Sequence, residues 1–149
     1  KALKKIPPRK PVFCPGCPHR STFYAVKKVF GEDAIYAGDV GCYILGLFKP
    51  FEMQNFIVSM GASIGIAHGI TRVSKQEVVA FVGDSTFFHA AMPGIVNIKF
   101  NDGKSPLIVV LDNRITAMTG HQPNPGSGFT GTGEKVEPLK IEEIEYIEL

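Results

Sequence analysis

The sequence predicts an α/β domain, three layers deep, in which a doubly wound and mainly parallel sheet carries helices on both faces. Three observations carry this. Val78 to Val82 is a short apolar run rich in β-branched residues, the composition of a strand buried on both faces. Residues 87 to 100 place apolar side chains at roughly helical spacing, in spite of Pro93 and Gly94. Leu107 to Leu111 is a second apolar run, set off by the turn cluster at 101–106 and closed by Asp112 and Asn113. Strand, helix and strand within about thirty residues make a unit whose strands run parallel with a right-handed crossover.

A chain of 149 residues is long enough for one domain with a real core, and 44% hydrophobic with 20% charged residues is ordinary for a globular protein. A formal net charge of +2 gives no reason to expect a nucleic-acid or membrane partner. Three cysteines do not make a disulfide framework, so a reducing cytoplasm is the expected compartment. The basic start has no apolar stretch of the kind a signal peptide carries. The longest apolar stretch, Phe56 to Ile70, is shorter than the roughly 20 residues of a membrane span and contains His68.

Taken in order, residues 1–11 are rich in Lys and Pro and read as a linker into a domain over 12–149, truncated at both ends. A basic nucleic-acid arm would need aromatic interleaving, which is missing. Cys14-Pro-Gly-Cys17 has the composition of a tight turn. A helix follows from about His19 to Phe30, with Phe23, Val26 and Phe30 on one face and Gly31 ending it. Ala34 to Ala37 is a brief strand. In the loop Gly38-Asp39-Val40-Gly41-Cys42 the glycines permit close approach to a ligand, and Asp39 suits a capping role at this turn. Gly46, Lys49 and Pro50 mark a further loop, with Phe48 and Phe51 lining a hydrophobic opening. Phe56 to Val73 reads as a buried helix. Its Gly61, Gly65 and Gly69 form one bare stripe, suited to close helix packing because each glycine otherwise costs about 1 kcal/mol. Residues 121–138 are a long coil rich in Gly, Pro, Ser and Thr, the kind of segment that serves as a lid. Ile141 to Leu149 opens an acidic amphipathic segment. His68 reads as a packed helix histidine; His89 and His121 are either exposed or site-facing.

The chemistry concentrates at the ends of the parallel strands. Asp84 and Asn113 each lie just beyond such an end, where open α/β sheets bind ligands. A carboxylate and an amide oxygen form a hard-oxygen pair suited to Mg²⁺. A helix opening near Thr86 would aim free N–H groups at an anion. Together these describe a diphosphate site; the bland alternative is an ordinary crossover unit with Asp and Asn as turn residues. The cysteines leave several readings open: a redox pair, a zinc set completed by His19, an iron–sulfur site, or small side chains in the pocket wall.

Gly83-Asp84-Ser85 followed by Asn113 resembles the Gly-Asp-Gly…Asn signature of thiamine diphosphate (TPP) enzymes, with Ser in place of the last Gly. Cys14-Pro-Gly-Cys17-Pro-His19-Arg20, Gly38-Asp39-Val40-Gly41-Cys42, Met60-Gly61-Ala62-Ser63 and Thr116-Ala117-Met118-Thr119-Gly120-His121-Gln122-Pro123 occur in that order. Together they resemble the TPP-binding region of the indolepyruvate:ferredoxin oxidoreductase large (alpha) subunit, within the 2-oxoacid:ferredoxin oxidoreductase superfamily. The resemblance implies a TPP pyrophosphate-domain fold and a Mg²⁺ held by the side chains of Asp84 and Asn113 and the Ile115 carbonyl. It implies a cofactor site drawn from Gly41, Cys42, Met60, Gly61, Gly83, Asp84, Ser85, Thr86, Asn113, Thr119 and Gly120. In related enzymes a matching Cys-x-x-Cys and a later Cys hold a 4Fe–4S cluster, which points to Cys14, Cys17 and Cys42; no fourth Cys is present. No protein catalytic residue is assigned, since TPP is the catalyst; His19 and His121 are the candidates.

The activity implied is oxidative decarboxylation of an arylpyruvate such as indolepyruvate to the acyl-CoA, with coenzyme A as acyl acceptor and ferredoxin as electron acceptor. The alternatives are another 2-oxoacid:ferredoxin oxidoreductase and a non-catalytic TPP- or metal-binding module. TPP in such enzymes is shared with a pyrimidine-binding domain that supplies a glutamate. No Glu here matches that motif, so a partner domain and a second subunit are expected.

Overall fold

The computed structural model describes residues 7–101 and 103–145. The expected linker at 1–6, and the last part of the acidic segment at 146–149, lie outside the described residues. Helix α1 (Pro18–Phe30) begins with Pro at its first position, where the missing N–H costs nothing. Cys17 precedes it, and Gly31 at φ 71 ends it. Strand β1 (Ile35–Ala37) is followed by a short 3-10 helix (Cys42–Leu47), helix α2 (Ala62–Val73) and strand β2 (Val78–Gly83). A continuous helical stretch then comprises α3 (Asp84–Thr86), a π-helical turn (Phe87–Ala91) and α4 (Met92–Asn101). Strand β3 (Leu107–Leu111) and helix α5 (Ile141–Glu145) complete the described chain.

The sheet has the order β1-β2-β3, all parallel, with Ala37 paired to Ala80 and Ala80 to Ile108. Its layers follow from the two-residue repeat of a strand. Val79 and Phe81 of β2 point to one face, into a cluster with Phe13, Phe23, Tyr36, Tyr43, Phe51 and Met53 beneath α1. Val78, Ala80 and Val82 point to the other face. There Ala37, Ala67 and Ala80 are small enough for α2 to lie close, and Ile64, Phe87, Ala91 and Ile98 fill the space under α4. Every residue of β2 is buried, as its unbroken apolar composition requires. The three-layer α/β class expected from the sequence is the observed one.

Two element boundaries differ from the sequence expectation. The helix expected from Phe56 starts only at Ala62; Phe56 instead makes a bridge beside Ala37. Gly61, at φ 85, breaks the chain ahead of the helix, and the Asp39 carboxylate accepts hydrogen bonds from the N–H groups of Gly61 (2.8 Å) and Ser63 (3.2 Å). Asp39 thus caps a helix remote from it in sequence as well as bonding the Val40 N–H in its own turn. The helix expected from Phe87 begins earlier, at Asp84. The π-helical turn lies where Pro93 removes the N–H that would bond His89, so the widened turn accommodates the proline.

The glycine stripe is split by the fold. A Cβ on Gly61 would lie 2.6 Å from the Ala90 Cβ, whereas Gly65 and Gly69 face open space. Of these three glycines, only Gly61 is closely packed against other described residues. His68 is buried, its Nδ1 3.1 Å from the Asn97 amide nitrogen, as expected of a packed histidine.

Candidate functional site

The C-terminal ends of β2 and β3 open into a cavity of about 210 Å³. Gly83 is the last residue of β2, and Asp84 is both the first residue beyond it and the first of α3. Asn113 lies two residues past β3. Parallel pairing of Gly83 with Leu111 brings the two turns side by side.

Asp84 is only 3% exposed. Its Oδ1 accepts a hydrogen bond from the Ser85 N–H at 2.7 Å. Its Oδ2 accepts from the Ile115 N–H at 3.1 Å and from the Asn124 side-chain amide at 2.9 Å. The same Ile115 N–H reaches the Asn113 Oδ1 at 3.2 Å, so the carboxylate and the amide oxygen converge on one point. None of the ion pairs among the described residues involves Asp84. A buried carboxylate held by neutral donors, beside a second hard oxygen, is the donor set for a small divalent cation. By the chemistry of its donors the site fits Mg²⁺.

The cavity wall includes Gly41, Cys42, Met60, Gly83, Asp84, Ser85, Thr86, Asn113, Ile115 and Thr119 from the sequence-derived set, together with His19. Gly61, Gly120 and His121 are not among its lining residues; His121 is exposed at φ 63 in the loop beyond. His89 is likewise exposed. Gly41 and Gly83, besides lining the cavity, lie against a side chain of this chain. A Cβ on either would strike the Tyr43 ring, at 2.4 and 2.6 Å, so the group they admit is that buried ring. Tyr43 donates its hydroxyl to the Val40 carbonyl at 3.0 Å, and burial pushes its phenol far above the usual range.

His19 is 5% exposed and stacks edge-on against Phe13 and Tyr43. Burial holds its imidazole below the ordinary range, and the charge of Asp84 opposes this only in part. Burial thus favours the neutral form of the ring that faces the cavity. Of the cysteines, Cys14 is exposed in the turn, Cys17 packs beside the core under α1, and Cys42 lines the cavity. Burial raises the Cys42 thiol, and Cys17 and Cys14 are near enough to raise it further. Among the described residues no three His, Cys, Asp or Glu side chains are grouped as a metal site, so the Cys₃His zinc set is not assembled.

Sequence reasoning missed Asn124. It is buried, and its amide nitrogen bridges Asp84 Oδ2 and Ser85 Oγ at 2.9 and 2.8 Å, while its Oδ1 accepts from the Gly126 N–H at 2.9 Å. A Pro-Asn-Pro-Gly run signals a turn, and nothing local distinguishes a turn Asn from one folded back on a distant carboxylate. Thr116 was also missed as a contact: its Oγ1 lies 2.7 Å from the Ser85 Oγ.

The "Indolepyruvate oxidoreductase subunit IorA" of Archaeoglobus fulgidus is 47% identical over 146 residues, which span 97% of this chain and 23% of that protein. The subunit of the same name from Methanothermobacter marburgensis is 44% identical over 94% of this chain and 24% of its own length. The chain thus spans about a quarter of these relatives. The fold resembles a 2-oxoglutarate:ferredoxin oxidoreductase from Magnetococcus marinus, solved with 2-oxoglutarate, coenzyme A and succinyl-CoA bound. That likeness has a TM-score of 0.73 at 20% identity, over 92% of this chain and 50% of that one. No helix among the described residues is long and apolar enough to cross a membrane. Residues 39–148 match the family profile described as "Thiamine pyrophosphate enzyme, C-terminal TPP binding domain". With Asp84 and Asn113 meeting at the strand ends inside that stretch, the chain belongs to the thiamine pyrophosphate enzymes, as their C-terminal TPP-binding domain.

Proposed function

We propose that this chain grips the Mg²⁺–diphosphate end of TPP in an oxidoreductase that decarboxylates arylpyruvates such as indolepyruvate. Coenzyme A is the acyl acceptor in this reading, and ferredoxin takes the electrons. The observation that carries the grip is the convergence of the buried Asp84 carboxylate and the Asn113 amide oxygen on the Ile115 N–H. Asp84 and Asn113 would hold Mg²⁺ by side chain and Ile115 by its carbonyl. Ser85 and Thr86, in the first turn of the helix, would turn toward the phosphate oxygens. Bound TPP supplies the electron sink for decarboxylation. The neutral His19 and the apolar Met60 and Met118 would line the path to it. The aryl substrate is favoured by the names of the relatives, which are indolepyruvate oxidoreductase subunits.

The cavity, about 210 Å³, is smaller than the roughly 300–1,000 Å³ that encloses a whole ligand. That size supports a reading in which a pyrimidine-binding domain covers the other end, with a second subunit completing the assembly. The open face at Gly65 and Gly69 suits that partner, since among the described residues nothing lies within 4 Å of a Cβ placed there. A 4Fe–4S cluster on Cys14, Cys17 and Cys42 would need the three thiols, which do not form a metal-holding group among the described residues, to draw together, and a fourth ligand from a partner. Anaerobic reconstitution of the whole assembly, with iron and visible absorption measured, decides that point.

The central test is calorimetry of TPP binding to the full assembly with and without Mg²⁺. Asp84→Ala should abolish the Mg²⁺-dependent binding, because it removes the only charged side chain among the three proposed protein ligands. Equal affinity with and without Asp84 would sink the assignment. The isolated chain should bind TPP weakly and reduce no ferredoxin with any arylpyruvate.

A further inference from the structure

Asn124 has no task in the fold that a plain turn residue would not fill, yet it is 92% buried by its 8% exposure, and every hydrogen-bonding atom of its side chain is used. Its position is unusual. The segment after β3 lines the cavity from Ile115 to Thr119, pairs Thr116 with Gln122 in a short antiparallel bridge, and comes back to Asp84 through Asn124. There the amide nitrogen donates to the same carboxylate oxygen, Asp84 Oδ2, that the Ile115 N–H already reaches.

The consequence follows from the capacity of a carboxylate. Each oxygen offers about two lone-pair directions. Two neutral N–H donors, from Ile115 and Asn124, fill both directions of Oδ2. The Ser85 N–H takes one direction of Oδ1, and the Ser85 hydroxyl is a distant second neighbour at 3.4 Å. That hydroxyl is better engaged with Thr116 Oγ1 at 2.7 Å, and it accepts from Asn124 at 2.8 Å. Asn124 therefore helps to fix both how the Asp84 carboxylate is turned and where the Ser85 hydroxyl points. The Gly126 N–H fixes Asn124 in turn, by holding its Oδ1 and so orienting the amide with nitrogen toward Asp84.

We propose that Asn124 is a positioning residue for the metal carboxylate: by donating to Asp84 Oδ2 beside the Ile115 N–H it holds the carboxylate in one orientation toward Mg²⁺, and it ties the 116–124 rim of the cavity to that event. This rests on the reading of Asp84 as a Mg²⁺ ligand. Asn124 touches neither cofactor nor substrate in this role. Its effect should appear in metal affinity and metal geometry, and only slightly in turnover once metal and cofactor saturate.

The test uses the full-length protein in its assembly, with Asn124→Ala, Asn124→Asp and Asp84→Ala made in parallel. Asn124→Asp keeps the shape and replaces the donor by an acceptor facing Asp84; it carries the test if the alanine variant fails to assemble. The probes are Mg²⁺ with TPP, by calorimetry, and Mn²⁺ with TPP, by electron paramagnetic resonance. Partners that orient metal ligands typically contribute about 10–100-fold in metal affinity. Asn124→Ala should therefore weaken Mg²⁺ in the ternary complex at least about 10-fold, and Asn124→Asp more, with an altered Mn²⁺ spectrum and kcat at saturation within about 3-fold of the parent. Unchanged Mg²⁺ affinity and Mn²⁺ spectrum in Asn124→Asp, while Asp84→Ala loses binding, would overturn the role of Asn124 and leave the metal site standing. Retention of Mg²⁺–TPP binding by Asp84→Ala would overturn the metal site itself and this role with it. A fall in melting temperature with metal affinity intact would show a merely structural residue and count against the proposal.

Discussion

Replacing Asp39 by alanine should unfasten helix α2 and with it the Met60 side of the cavity. The carboxylate is fully buried and receives the N–H groups of Val40 (2.7 Å), Gly61 (2.8 Å to one oxygen, 3.0 Å to the other) and Ser63 (3.2 Å). The Val40 contact is local and can re-form with water. The Gly61 and Ser63 donors belong to the start of a helix whose own N-cap, Gly61, has no side chain to offer. Hydrogen bonds to a charged group contribute about 1.5–3 kcal/mol each, and a buried donor left bare costs about 1–3 kcal/mol. Counting one such loss for each of the two donors, Asp39→Ala should destabilise by about 3–4 kcal/mol, a large share of the roughly 5–15 kcal/mol typical of a domain. Asp39→Asn keeps the shape and one acceptor oxygen and should lose about half as much. Urea titration of the purified chain, followed by circular dichroism, measures both. Amide exchange at Gly61 and Ser63 should quicken by about two orders of magnitude in the alanine variant, since each factor of ten corresponds to about 1.4 kcal/mol. A loss below about 1 kcal/mol with an unchanged urea slope would refute the capping role, because bonds of this number and burial cannot be worth so little.

The stripe on α2 should respond oppositely in the chain and in the assembly. Gly65→Ala or Gly69→Ala should stabilise the isolated chain by up to about 1 kcal/mol, since a Cβ meets nothing within 4 Å, whereas Gly65→Leu should impair assembly of the complete protein; co-purification reads the second effect, and intact assembly would argue against a partner there. Gly83→Ala should cost about 1–3 kcal/mol and lower TPP affinity, because its Cβ would lie 2.6 Å from the rigid Tyr43 ring; a neutral result by urea titration would mean that the ring yields freely. For His19 the sign follows from burial, which lowers its folded pKa below the ordinary value near 6.5. The unfolded chain then binds the proton first, so this contribution to stability is present above about pH 6.5 and is lost as pH falls toward the lowered folded pKa. His19→Gln should flatten the dependence of the urea midpoint between pH 7 and 5. An unchanged slope would show that His19 is solvated in the native state.

Much of the site was legible because it depends on local composition and a topological rule. A run such as Val78–Val82 can only be a strand buried on both faces, and parallel pairing of two such runs forces Asp84 and Asn113 to one edge. Pro18 and Gly31 bracket α1 at the positions where each residue is tolerated. What the sequence did not reveal depends on side chains that arrive from elsewhere. The start of α2 is set by a carboxylate 22 residues earlier in the chain, while the local pattern, apolar from Phe56 onward, reads as helix throughout. The partner of Gly41 and Gly83 is one tyrosine ring, invisible until the 3-10 helix folds beneath both. Asn124 looks like any residue in a proline-rich turn, yet tertiary folding brings it to Asp84, 40 residues away. The sequence by itself determined the layers, the strand ends and which two oxygen-bearing side chains share one sheet edge, since periodicity and composition act over a few residues. The tertiary structure alone decided which donors fill those oxygens and which glycines are packed, since long-range hydrogen bonds and close contacts leave no periodic trace in the sequence.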